Sequence, residues 1–132
     1  MSDFQTLKVW RKAHALALNV HRAAVGMRGA DYATLRSQMN RAAMSIPTNI
    51  VEGTGQKSSR EFGRFVRFAL NSTSELEYHL IVARNFRAIS RTDFESLSSQ
   101  TIEVRKMLHG LLRTLMMSGP RIAKTESQRV VN

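Results

Sequence analysis

The sequence predicts an all-α protein, an up-down-up-down bundle of four long helices. Three observations predict it. Apolar residues recur at intervals of three and four along nearly the whole chain, and no segment alternates with the period of two that a strand requires. Only two prolines and seven glycines interrupt the 132 residues. The interruptions carry turn and capping residues, spaced so that four segments of helical length are joined by short loops, the pattern of an antiparallel bundle.

The first helix is expected from about Phe4 to Val25. Leu7, Trp10, His14, Ala17, Leu18, His21 and Val25 share one face, and Val9, Ala13, Val20 and Ala24 widen the apolar set around one flank. The run from Gly26 to Asp31 breaks the pattern, and Asp31 is placed to cap a second helix from Tyr32 to about Glu52. Leu35, Met39, Ala42, Ala43, Ile46 and Ile50 are its inward residues. The stretch from Gly53 to Lys57 reads as a loop, with Gly53 as a C-terminal cap.

Ser58 with Glu61 is a capping box for the third helix, whose stripe is Phe62, Phe65, Val66, Ala69, Thr73, Leu76, Leu80 and Ala83. Thr92 with Glu95 repeats the box for the fourth. There Phe94, Leu97, Thr101, Val104, Leu108, Leu111, Leu112 and Leu115 point inward, and Gly119-Pro120 is expected to stop the helix. The bundle is thus placed at residues 1–118, with residues 119–132 a basic tail expected to be disordered. Tyr78, Ile81, Val82 and Phe86 lie off the third stripe, so helices 1 and 3 are the expected surfaces for self-association.

Composition narrows the function classes. With no cysteine, disulfides, thiolate zinc sites and cysteine nucleophiles are excluded, which fits a cytoplasmic location. The N-terminus carries no basic-then-apolar tract, so no signal peptide is expected, and no apolar run reaches the ~20 residues that span a bilayer. The net charge of +10 points to a polyanionic partner, RNA or DNA, and membrane binding ranks below it because the apolar faces are claimed by the bundle. Lys8, Arg11, Lys12 and Arg22 project from the polar side of helix 1; Arg60, Arg64 and Arg67, preceded by Lys57, recur along one edge of helix 3. Arginine suits bidentate phosphate contact, and with no base-reading motif present binding should be directed at the backbone.

No catalytic constellation appears. Di-metal bundles use Glu-x-x-His pairs, and none of His14, His21, His79 and His109 has Glu at the third preceding position. No metal or cofactor is expected, and His14 and His21 are read as core residues.

The segment Ser45-Ile46-Pro47-Thr48-Asn49-Ile50-Val51-Glu52-Gly53 sets a proline inside a helix, at a cost of about 3 kcal/mol unless something compensates. Asn49 is expected to satisfy disturbed backbone groups or to tie helix 2 to a neighbour, and Glu52 to pair with an arginine, ahead of any ligand role. This segment, together with Phe4-Gln5-Thr6-Leu7-Lys8-Val9-Trp10, Ser59-Arg60-Glu61-Phe62 and Ser74-Glu75-Leu76-Glu77, resembles the four-helix-bundle proteins encoded in intervening sequences of bacterial large-subunit ribosomal RNA genes. These are similar in fold to the accessory variability protein of diversity-generating retroelements. Val51 stands where the family usually has alanine. The resemblance implies a ring-shaped homo-oligomer, a pentamer, that binds nucleic acid without catalysis. The alternative is an adaptor that docks a protein such as a reverse transcriptase.

Overall fold

Four α-helices are separated by turns that the sequence closes with specific hydrogen bonds. The computed structural model describes residues 3–122. Within them a 3-10 turn at Phe4–Thr6 precedes α1 (Lys8–Val25), a second at Ala30–Tyr32 precedes α2 (Ala33–Thr54), and α3 (Ser59–Asn85) and α4 (Arg91–Ile122) follow. Each helix packs on two neighbours: α1 and α3 both lie against α2 and α4, and the α2–α3 seam is the most extensive. Short turns and this neighbour pattern make the expected up-and-down bundle. No strand occurs among the described residues.

The stripes of α2, α3 and α4 face the core as expected, apart from Phe65, which is half-buried outside it. Met39, Ala42, Ala43, Ile46 and Ile50 meet Val66, Ala69, Leu76, Leu80 and Ala83, with Leu97, Val104 and Leu108 closing the core. Helix α1 departs from expectation. Its buried residues are Val9, Ala13, Leu16, Ala17, Val20 and Ala24, so the supposed flank is the core face. His14, Leu18, His21 and Val25 are exposed, and the two histidines are not core residues. The chosen face carries three alanines, which let α1 approach its neighbours closely; bulkier Leu18 and Val25 face outward. Self-association through Val9, Ala13, Val20 and Ala24 is therefore ruled out, since their own bundle covers them.

The termini of the helices also correct several expectations. Ser58 caps α3, accepting from the Glu61 N–H at 3.1 Å, but the Glu61 carboxylate turns to Arg64 instead of completing the box. Ser90, not Thr92, caps α4, accepting from the Asp93 N–H at 3.0 Å. Glu95 pairs with Arg91 at 3.0 Å, so it is not part of a box. Asp31 makes no cap to α2; Gly29, at φ 98°, and the Arg36 guanidinium, which donates to the Met27 and Gly29 carbonyls, shape that turn. Finally, α4 runs through Gly119-Pro120 to Ile122. A proline this near a helix end removes one bond from a turn whose bonds are already incomplete, so it does not force a stop. The rest of the expected tail, 123–132, lies outside the described residues.

Gly53 lies inside α2, which ends at Thr54, and is buried. A Cβ built there would sit 2.6 Å from Phe62 Cδ1 and 3.2 Å from Phe65 Cβ. Its role is close approach of α2 to α3, and Gly55 takes the C-cap position.

Candidate nucleic-acid interface

Most polar residues of the Ser45–Gly53 segment are engaged within the protein. Asn49 Nδ2 donates to the Ser45 carbonyl at 2.9 Å and to Ser45 Oγ at 3.0 Å. Ser45 Oγ lies 2.7 Å from Ser72 Oγ, and Ser72 Oγ donates to the Phe68 carbonyl at 3.2 Å. Thr48 Oγ1 donates to the Met44 carbonyl at 2.9 Å. The Ser45–Ser72 bond fastens α2 to α3 within a turn of buried Pro47, and Asn49 braces Ser45 from inside α2. Glu52 is exposed and makes no ion pair among the described residues. The expected pairing of Glu52 with an arginine is therefore not found among the described residues.

The basic residues of α1 and α3 form two separate patches, since those helices are not neighbours. On α1 only Lys8 is unengaged. Arg11 Nη1 donates to the Gln5 and Thr6 carbonyls at 3.1 and 2.9 Å and so closes the first turn. Lys12 Nζ lies 3.4 Å from Glu103 Oε2 across the α1–α4 seam. Arg22 donates to Asn19 Oδ1, and Asn19 Nδ2 donates to Gln100 Oε1 at 3.0 Å, a polar ladder over the same seam.

The α3 edge is different. Lys57 and Arg60 are exposed, with no ion pair among the described residues. Arg64 Nε is 3.1 Å from Glu61 Oε1, and its guanidinium covers the rings of Phe65 and Phe68 at 4.9 and 5.4 Å. Arg67 has only a sulfur contact, to Met116 Sδ at 3.2 Å. Both arginines keep donors facing water, because a guanidinium has five.

The structure adds basic residues that sequence reasoning missed. Lys106, His109 and Arg113 are exposed on α4 at spacings of three and four, opposite its buried stripe. Their periodicity was available as a signal. The Arg67–Met116 contact and the Arg105–Glu77 pair at 2.6 Å fix the antiparallel register of α3 and α4. In that register Arg113, His109 and Lys106 run beside the part of α3 between Leu70 and Tyr78. No group of three His, Asp or Glu residues suited to a metal ion occurs among the described residues. Nor is any described helix long and apolar enough to cross a membrane.

A family model described as 23S rRNA-intervening sequence protein matches residues 5–110. The crystal structure of a protein of unknown function from the S23 ribosomal protein family of Bacteroides thetaiotaomicron is similar, with a TM-score of 0.74 and 24% identity. The likeness covers 79% of this chain and 97% of that one, and at this identity it speaks to the fold alone. No curated protein matches the chain.

Proposed function

The chain belongs to the 23S rRNA-intervening sequence protein family, and on that premise we propose that it binds nucleic acid through phosphate contacts, without catalysis. The observation that carries this reading is the α3 edge: Lys57, Arg60, Arg64 and Arg67 within about three turns, with a single carboxylate, Glu61, engaged among them. Like charges at these spacings repel by a few tenths of a kcal/mol per pair, and a polyanion relieves that repulsion while releasing its own counterions. The net charge of +10 adds long-range attraction of the same sign.

The same reading includes a ring-shaped homo-oligomer. Its support is the exposed large apolar side chains on α1 and α2, Val25 at 65%, Met44 at 59% and Leu18 at 42%. A ring would repeat the α3 edge and raise affinity by multivalency. Light scattering that finds a monomer at micromolar concentration removes this part of the proposal.

A salt titration by filter binding tests the central claim. The protein should bind at about 50 mM salt, and log affinity should fall with log salt at about 0.7–0.9 per phosphate contact. Replacing Arg60, Arg64 and Arg67 together with glutamine should lower that slope by about 2–3. If neither RNA nor DNA binds at low salt, the proposal fails and the adaptor role, with a reverse transcriptase as partner, takes its place.

A further inference from the structure

The arginine edge is the first half of a longer line. Arg60, Arg67, Asn71, Tyr78 and Asn85 follow one another at spacings of seven, four, seven and seven, and all are exposed. At about 100° per residue they fall within roughly 40° of one line, about 38 Å long. No carboxylate lies on it. Glu61 and Glu77 flank it but are held by Arg64 and Arg105. Glu75 sits to the α2 side, where it lines a small hollow with Gln38, Arg41, Ser45 and His79. From the α4 side Arg113 and Lys106 supply positive charge along the half of the line that carries no arginine.

Tyr78 is the unexplained member. It is 63% exposed, projects from the middle of a helix and makes no hydrogen bond through its hydroxyl among the described residues. Among the described aromatic rings it approaches only that of His79, at 5.9 Å and a tilted angle, so a face stays open to a ligand. An aromatic ring in a track of arginine and amide side chains has the composition of a single-strand platform: cations follow the phosphates, and a ring takes an unstacked base. A duplex would leave Tyr78 unused, because its bases are already stacked on one another. A second copy of the chain fits less well. Among the described residues, the carboxylates not engaged in ion pairs are Asp3, Asp31, Glu52, Glu75 and Asp93, which are scattered over five segments and offer no row of acids to match three arginines.

We propose that the outer face of α3, from Arg60 to Asn85, binds single-stranded nucleic acid, with Tyr78 stacking on a base. This rests on the nucleic-acid reading above and narrows it to one strand state and one contact. Fluorescence anisotropy with a labelled 15-nucleotide strand (about the length of the track with room to spare), as RNA and as DNA, and with the matching duplexes tests it. The unmodified protein should prefer the single strand. Tyr78→Ala should weaken single-strand binding about tenfold, leave duplex binding unchanged and keep the salt slope. Tyr78→Phe should bind as the unmodified protein does, because the stacking face is retained. Equal binding of strand and duplex, with Tyr78→Ala without effect on either, overturns this inference and leaves the phosphate-directed proposal standing. Binding to none of the four probes overturns both. A change in oligomer size on Tyr78→Ala, read by light scattering, assigns the tyrosine to a contact between copies and also overturns the inference.

Discussion

Helices α2 and α3 pack along most of their length, yet they use their polar residues in opposite ways. On α2, Ser45, Asn49 and Gly53 turn toward α3 and are consumed by it: two residues form a hydrogen-bonded tie and the third clears space for a ring. On the outer face of α3, Arg60, Arg67, Asn71 and Tyr78 have no partner of comparable strength among the described residues. A distinctive segment can therefore be distinctive for packing, while function is to be sought where polar groups are left unsatisfied. The contrast makes a quantitative demand. Changes in the α2 segment should alter stability, and changes on the α3 face should alter binding.

The largest stability effect is expected at Gly53. Gly53→Val puts a branched side chain where even a Cβ would lie 2.6 Å from the Phe62 ring, so the helices must separate or the ring must move. Overpacking of this kind costs about 3 kcal/mol, read as a lower urea midpoint at unchanged m. Gly53→Ala should cost less, because the strain is offset by about 1 kcal/mol of helix propensity. An alanine variant more stable than the original would show that the two helices have room to spare, and the packing half of the comparison would fall.

Next comes the hydroxyl tie. Ser45→Ala removes the partner of both Ser72 Oγ and Asn49 Nδ2 in a part-buried seam, at about 1–2 kcal/mol. Adding Ser72→Ala should cost little more, since the two hydroxyls satisfy each other. Fully additive losses in the double-mutant cycle would mean that the contact does not couple the helices. Pro47→Ala should act in the other direction. Recovering the N–H and relieving the ring's clash is worth about 3 kcal/mol, and losing two buried methylenes costs about 1.6, for a net gain near 1 kcal/mol.

How much of this could be read from residue order depends on whether a single face or a single partner decides. The stripes of α2, α3 and α4 were legible because each helix has one apolar face and polar residues elsewhere. Helix α1 has two, one of alanines and valines and one with Leu18, His21 and Val25, and only packing against α2 and α4 selects between them. Ser90 with Asp93 and Thr92 with Glu95 have the same capping spacing, so the position of the preceding turn had to choose. Gly53 read as a loop residue because its true constraint, the Phe62 ring, comes from a different helix. The arginine row of α3 was visible from its spacing alone. That Arg64 is shared with Glu61 and two phenylalanines, and that α4 lends Lys106, His109 and Arg113, required the register between helices.

The smallest effect is predicted for the residues most important to the proposed function. Replacing Arg60, Arg64 and Arg67 together with glutamine should cost no more than about 1 kcal/mol, the upper end of what the exposed Arg64 contacts can contribute. Three small effects combine, one a gain and two losses. Relief of repulsion along the row contributes a few tenths of a kcal/mol. Loss of the exposed Arg64–Glu61 pair costs a similar amount, and loss of the Arg64 guanidinium over Phe65 and Phe68 costs up to about 1 kcal/mol at an exposed site. Restoring Arg64 alone separates these contributions, since it returns the pair and the ring contacts without the row. If the triple variant loses more than about 1 kcal/mol and Arg64 restores it, Arg64 is a structural residue like Asn49. The functional edge then shrinks to Arg60 and Arg67. If stability holds while the salt slope of binding falls, the two helices differ in the way their partners indicate: α2 is occupied by the fold, and α3 is left open for a ligand.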